Sequence, residues 1–505
     1  MAVGARQTDG GGAEPPQPME GRRPSVFDAI LVFATLLILL ALSYWLYGKD
    51  AASGPSQIAL VCAALVAGGV ARKNGMDWDG VRQAVVEGVS SGLSAIFILL
   101  AVGALIGTWA LGGTIVAMIY YGLDLLRPEL FYASTLVICS LIAVAVGSSW
   151  TVIGTIGVGL MGVAANLGMS PAITAGAIVS GAFFGDRTSP LSDTVNLNAA
   201  VTGADLFTLI RESLWTSVPA LLVALALFAL MGHSAVADEA HEMSELARHF
   251  NVSIWAFAPL VLVFALALWR VSPFVAVFSG ALLGGVVAIL LNPAQVVAFS
   301  GDPALPVSLA LLKGVWSALA TGYVSNSGDA AVDALLSRGG MAHMLPTVWL
   351  IMAALAFGAI VEHAGLLACI VDPIAERARS TVTLIASVVA SSFGANVVTA
   401  DQYMAIALPG RMFRAVFEKR GYAPVVLARA IGDTGTVTSV LVPWNSCGAY
   451  VGAALGLPTL DFVPYAFFCL LSPLMTVAIA ALGVRMIRTG WAHAAAPAIE
   501  PGAQP

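Results

Sequence analysis

Residues 185–198, Gly-Asp-Arg-Thr-Ser-Pro-Leu-Ser-Asp-Thr-Val-Asn-Leu-Asn, gather two carboxylates, a guanidinium and a run of hydroxyl and amide groups between apolar segments. Pro190 lacks a backbone donor and breaks a helix. The freed carbonyls, with the oxygens of Asp186, Ser189, Ser192, Asp193 and Asn196, are hard ligands suited to a small alkali cation. A second stretch, residues 432–445, again carries a carboxylate, hydroxyls, a proline and an amide in Asp433, Thr436, Ser439, Pro443 and Asn445. An extramembrane loop would account for either stretch alone, but such a loop needs no matching copy. Two broken helices facing each other would instead aim their dipole ends at one central site.

Just upstream of each stretch lies a second pair, 147–155 and 394–402. Ser148, Ser149 and Thr151 in the first, and Asn396, Thr399 and Asp401 in the second, suit the tips of re-entrant hairpins. Small-residue helix packing is the competing explanation, and Asn396 and Asp401 fit it poorly. Acids within a membrane are costly unless they pair or carry protons, which singles out Asp186, Asp193, Asp401, Asp433 and Glu362. Burial favours a protonated carboxylate and a bound cation favours the ionised one, so one group serves both ions of an exchange. Arg187 reads equally as a counter-ion to Asp186 or as a helix anchor. Glu362-His363 is a candidate proton relay or a packing pair.

Other signals fail for lack of context. Gly157-Val-Gly-Leu-Met-Gly162 matches GxGxxG but lies in an apolar run with no βαβ unit around it. His241-Glu242 lacks the second histidine of HExxH. Gly185-Asp186 is shared with intramembrane aspartyl proteases, but the second required glycine is replaced by Phe183 or Phe184, and no Tyr-Asp occurs in a span.

The elements that must hold these residues follow from composition. Of 505 residues, 59% are hydrophobic and 10% charged, with a mean hydropathy of +0.89. Soluble domains carry about 25% charged residues, so lipid is the expected solvent. Apolar runs at 26–47, 54–71, 93–119, 130–147, 205–231, 251–270, 273–292, 344–370, 380–394 and 461–487 are long enough to cross a bilayer. The stretches 148–200 and 395–458 are apolar but interrupted, and uninterrupted helix is not expected there. Unpaired backbone at membrane depth must be buried or line a cavity. The net charge of −6 and the absence of a basic cluster exclude nucleic acid as an expected partner. Five isolated cysteines suggest neither a disulfide framework nor a zinc site, and no tightly bound cofactor is expected.

Basic residues set the orientation. Arg22 and Arg23, then Arg72, Lys73 and Arg82, then Arg485 and Arg488 mark cytoplasmic ends, whereas the acidic loop 232–250 is expected outside. The predicted organisation is a disordered cytoplasmic tail (1–25), a first membrane repeat (26–231), an external loop (232–250), a second repeat (251–488) and a cytoplasmic tail (489–505). Odd numbers of crossings in each half make the repeats inverted. Matches at an offset of 247 support the duplication: Gly147 with Gly394, Asp186 with Asp433, Ser192 with Ser439 and Asn198 with Asn445. The expected fold class is an all-α polytopic membrane protein of two inverted-topology repeats, with broken helices, re-entrant hairpins and roughly 10–12 spans.

These segments resemble the NhaC family of sodium/proton antiporters, within the ion transporter superfamily. The likeness runs through 180–200, 322–340, 357–367 and, at greatest length, 395–450. It implies a secondary antiporter of the bacterial inner membrane that expels Na⁺ in exchange for H⁺, binding ions between hairpin tips and broken helices. Where that family usually has a lysine, a threonine, an acid and a glycine, this chain has Arg187, Val195, Gly432 and Ala400. Some relatives exchange organic acids or carry amino acids.

The expected site joins Asp193, Asp401 and Asp433 with Ser189, Ser192, Asn196, Thr436, Ser439 and Asn445 at the midplane, with Asp186 beside them. Na⁺ and protons would occupy it in turn, and a homodimer is open. Coupled transport of a small carboxylate or amino acid is the alternative. An intramembrane hydrolase would need a nucleophile or paired aspartates, and a channel is less consistent with broken inverted repeats.

Overall fold

In lipid, a backbone that cannot bond to water must bond to itself, and a 59% hydrophobic chain does so here as helix after helix. The computed structural model describes residues 24–232, 253–326, 333 and 336–488. Nearly all of the expected N-terminal tail, the acidic loop beyond Gly232, the tail after Arg488 and part of the 322–340 segment lie outside the described residues.

The first half comprises α1 (Val26–Tyr47), α2 (Pro55–Lys73), α3 (Trp78–Ser91), α4 (Leu93–Gly112), α5 (Thr114–Leu125), α6 (Phe131–Val146), α7 (Ser149–Asn166), α8 (Pro171–Thr188), α9 (Asp193–Thr202) and α10 (Leu206–Met231). The second comprises α11 (Ala258–Leu268), α12 (Pro273–Leu291), α13 (Pro293–Ser300), α14 (Val307–Thr321), α15 (Leu345–His363), α16 (Ala368–Arg377), α17 (Thr381–Thr399), α18 (Gln402–Lys419), α19 (Pro424–Ile431), α20 (Ser446–Leu455) and α21 (Phe467–Ala481). Among the described residues nine helices are long and apolar enough to cross a membrane, or up to eleven if two bent pairs each count as one span. The same residues contain no named strand, only two isolated bridges.

Glycines and prolines cut the apolar runs where the sequence alone left them whole. The run 93–119 divides at Gly113, whose φ of 82° stops α4 and restarts the chain as α5. The last run bends by 53° between Thr459–Tyr465 and α21. The stretch 148–200 is interrupted at 189–192, as expected of it, yet it also contains two full 18-residue helices, α7 and α8.

Helix boundaries correct the register of the duplication. The left-handed residues Gly147 and Ala400 are 253 apart, and the same offset relates Pro171 to Pro424, the caps Ser192 and Asn445, and the left-handed Gly203 and Gly456. The 247 offset matched residue types but not helix positions. Asp186 lies 15 residues beyond Pro171, whereas Asp433 lies nine beyond Pro424. Six residues are about 9 Å of helix, so the two aspartates stand at different heights. The counterpart of Asp186 is Ser439.

Close backbone approach fixes α8 against α6. A Cβ on Gly185 would overlap Ala143, and one on Gly181 would overlap the Leu136 carbonyl. The Gly181-x-x-x-Gly185 spacing puts both on one face, as small residues do in membrane helix pairs. Asp186 follows directly on this seam.

Candidate functional site

Two hairpin tips and two helix breaks build one cavity. At the first tip α6 ends at Gly147 (φ 76°), and the Ser148 Oγ caps α7 by accepting from the Thr151 N–H at 3.2 Å. At the second, α17 ends at Ala400 (φ 55°), and the Asp401 Oδ1 caps α18 by accepting from the Tyr403 N–H at 3.0 Å. At the breaks, Ser192 caps α9 and Asn445 caps α20 through their side-chain oxygens. Serine, aspartate and asparagine are favoured caps because their short side chains reach these free N–H groups.

The cavity is lined by first-turn residues from all four helices: Ser148, Ser149 and Trp150; Asp193; Asp401, Gln402 and Tyr403; and Ser446. Asp186 from α8, Ser91 at the end of α3, and Ser94, Ala95 and Ile98 of α4 complete the wall, with Pro273 and Leu355. At the 253 offset the first-turn lining falls into four pairs, 148/401, 149/402, 150/403 and 193/446. The cavity therefore lies on the interface between the halves. It holds three carboxylates, and among the described residues no Lys, Arg or His lines it.

Hydroxyls organise the acids. Asp186 is buried and accepts from the Ser149 and Ser192 hydroxyls, both at 2.6 Å, and from Thr194 at 3.5 Å. The Tyr403 hydroxyl crosses from the second half to donate to Asp193 Oδ2 at 2.6 Å. The Gln402 Oε1, where the first half has Ser149, accepts from Ser439 at 3.2 Å and Cys447 at 2.8 Å. An outer cavity of about 400 Å³ adjoins through Ser148, Asp193 and Pro273, and Thr151, Asn196 and Arg270 line it.

The remaining expected site residues lie elsewhere. The Ser189 hydroxyl donates to the Val144 carbonyl at 2.8 Å, which ties the break to α6. Asn445 donates to the Asn396 carbonyl, and Asn396 in turn donates to Gly435 and Thr438, a brace behind the second tip. The Thr399 hydroxyl donates to the Ala395 carbonyl, and the Thr436 carbonyl accepts from Ser439. Asp433 is not in the cavity. It pairs with Arg187 at 3.2 Å, both side chains fully buried. Of the two readings of Arg187, the structure supports the anchor: its Nη2 also donates to the Arg429 carbonyl, and its guanidinium fills the space that a Cβ on Gly432 would need. Arg429 and the partly exposed Arg485 flank buried Glu212 at 3.9 and 3.4 Å. Glu362 pairs with Arg411, and His363 with Glu87, and neither Glu362 nor His363 lines the cavity.

Trp150, Gln402, Tyr403 and Ser446 were missed by the sequence reading. Trp150 and Gln402 lie inside the tip segments but are not the small hydroxyl, amide or acid types sought there, and Tyr403 and Ser446 each fall one residue beyond a segment's end, at 402 and 445. Ser91 and Ser94 carried no signal.

A family model described as "Na+/H+ antiporter family" matches residues 181–484. The chain is similar to the Na⁺/H⁺ antiporter NhaC of Alkalihalophilus pseudofirmus, at 34% identity over 85% of this chain and 90% of that protein. It is also similar to the malate-2H⁺/Na⁺-lactate antiporter of Bacillus subtilis, at 32% over 88% and 92%. The arginine/ornithine antiporter ArcD of Halobacterium salinarum matches at 32% over 92% and 93%.

Proposed function

The chain belongs to the Na⁺/H⁺ antiporter family, NhaC type, whose named relatives are transporters rather than enzymes, and from that premise we propose that it exchanges Na⁺, and by similarity of charge Li⁺, for H⁺. The single observation that carries this reading is a cavity with three carboxylates and, among the described residues, no basic lining residue. Four helix N-termini also point at it, each worth about +0.5 charge. Alone they would favour an anion. Against three carboxylates they leave about one net negative charge, which suits one monovalent cation.

In this mechanism Asp186, Asp193 and Asp401 hold the cation with Ser148, Ser149 and Ser446, and the same carboxylates hold protons on the return. Asp186 is prepared for both, because hydroxyls that donate to it when ionised rotate to accept when it is protonated. Alternating access moves the cavity between the two sides, with the hairpin tips of the inverted halves as the moving parts. The setting is a bacterial inner membrane with both termini cytoplasmic, a reading supported by the basic residues that flank the spans.

The relatives named for malate, lactate, arginine and ornithine mark the alternatives. A small organic anion lacks a cationic partner in the inner cavity. A cationic amino acid is the better second reading, since the aromatic residues Trp150 and Tyr403 line the cavity beside its carboxylates. Everted vesicles with a pH-sensitive dye test the proposal. Na⁺ or Li⁺ added to acid-loaded vesicles collapses the gradient if it is right. No response to either ion, with a response to arginine or ornithine, would transfer the function to the second reading.

A further inference from the structure

Every carboxylate of the cavity has a serine as its counterpart in the other half. Asp401 corresponds to Ser148, Asp193 to Ser446 and Asp186 to Ser439, each pair 253 residues apart. In the first two pairs both members line the cavity. Ser148 and Asp401 are both N-caps, each accepting a first-turn N–H with one side-chain oxygen. Asp193 and Ser446 are both the first helical residue after a cap, Ser192 and Asn445 respectively. Each pair thus presents a hard oxygen from the same backbone position on either side of the cavity, the aspartate adding a second oxygen and a negative charge.

The third pair behaves differently. Ser439 does not line the cavity; its hydroxyl donates to Gln402 and to the Thr436 carbonyl. Exchange between partners is therefore a property of the first two pairs. Aspartate and serine are near-equal N-caps, so exchange at 148 and 401 preserves both helix starts. A first-turn acid is likewise favourable at either 193 or 446.

We infer that the cation is held by symmetry-related Asp/Ser pairs, that Ser148 and Ser446 are cation ligands of the same standing as Asp401 and Asp193, and that within a pair the carboxylate works from either half. This rests on the cation reading above. It adds that the number of carboxylates in the cavity matters more than which half supplies each.

The experiment compares wild type, Asp401→Ser, the double variant Ser148→Asp/Asp401→Ser, and Ser446→Ala, in everted vesicles with Na⁺ alone as the probe. Membrane levels are checked by immunoblot. Asp401→Ser is expected to raise the half-saturating Na⁺ by roughly tenfold or more, the effect of one lost charged ligand. The double variant is expected to recover most of that loss, and Ser446→Ala to raise half-saturation by several-fold. A double variant present at the wild-type level but no better than Asp401→Ser would overturn the inference. If the double variant does not reach the membrane, an unchanged half-saturation in Ser446→Ala overturns it instead. Wild-type vesicles that ignore both Na⁺ and Li⁺ would sink the cation reading itself, a separate result.

Discussion

Arg187 Nε and Asp433 Oδ1 lie 3.2 Å apart with both side chains fully buried, although the residues belong to different halves of the chain. Arg187 is the immediate neighbour of Asp186 and points away from the cavity into α19 and the turn that follows it. The pair anchors the end of α8, and with it the carboxylate that faces the site. The Asn198 side chain adds a second tie across the same seam by donating to the Ala428 carbonyl at 2.7 Å.

Removing one partner of such a pair leaves a buried charge uncompensated, a cost of about 3–5 kcal/mol. Asp433→Asn is therefore expected to lower the thermal stability and membrane level of the protein strongly. The fraction that inserts should keep the wild-type half-saturating Na⁺, since Asp433 lies outside the cavity. Gly432→Ala should destabilise by a different route, because its new methyl meets the Arg187 guanidinium. Thermal unfolding of purified protein, with vesicle assays of Na⁺ dependence, checks both. A selective loss of Na⁺ affinity in well-folded Asp433→Asn would return this acid to the site.

Tyr403 occupies one oxygen of Asp193 from across the cavity. A hydrogen bond to a charged group contributes about 1.5–3 kcal/mol, and Na⁺ competes with it for the electron density of that oxygen. Tyr403→Phe is expected to lower the half-saturating Na⁺, by up to about tenfold per 1.4 kcal/mol. A higher half-saturation, with the protein folded, would mean that the hydroxyl is itself a ligand.

Glu87 bears on the proton relay considered for Glu362-His363. Its carboxyl is held below the ordinary range first by the Gln83 side-chain hydrogen bond and then by His363. With a lowered native pKa, the Glu87 contact is present above the unfolded carboxyl value and is lost as pH falls through the native one. Glu87 is thus ionised at neutral and alkaline pH and loses its charge only in acid, and His363 itself does not line the cavity. His363→Ala is expected to leave the pH profile of exchange unchanged in the neutral and alkaline range. A shifted profile there would restore the relay.

Much of this was legible in the residue types. The two broken stretches, the two tips and the acids Asp186, Asp193 and Asp401 were all identifiable, because Pro, Gly and short polar side chains in an apolar run have few roles other than to break helices and line a site. The register was not legible. Asp186 and Asp433 both follow a glycine, and identity pulled them together at an offset of 247. Register is decided by where helices start, which depends on caps such as Ser148, Asp401, Ser192 and Asn445 and on the bend between Pro424–Leu441 and α20. Long-range contacts were equally invisible. Nothing local to Tyr403 points to Asp193, 210 positions away.

The two tips make a further, opposed pair of expectations. Gly147 and Ala400 occupy corresponding left-handed positions, with φ of 76° and 55°. For an alanine that conformation costs roughly 1–2 kcal/mol, a strain that glycine avoids. Ala400→Gly should therefore hold stability or raise it slightly, the relief of strain outweighing the entropy lost from a more flexible unfolded chain. Gly147→Ala faces both the strain and a collision. A Cβ there would lie 2.6 Å from the Leu191 Cβ and 2.9 Å from the Ser192 nitrogen, so the break that carries the Ser192 cap would have to move. Because the Ser192 hydroxyl donates to Asp186, exchange should weaken along with stability. Thermal unfolding and Na⁺-dependent gradient collapse, measured on both variants, should rank Ala400→Gly above Gly147→Ala in each assay. The reverse order would mean that the tips are not equivalent, and would undo the 253-residue register on which the paired site depends.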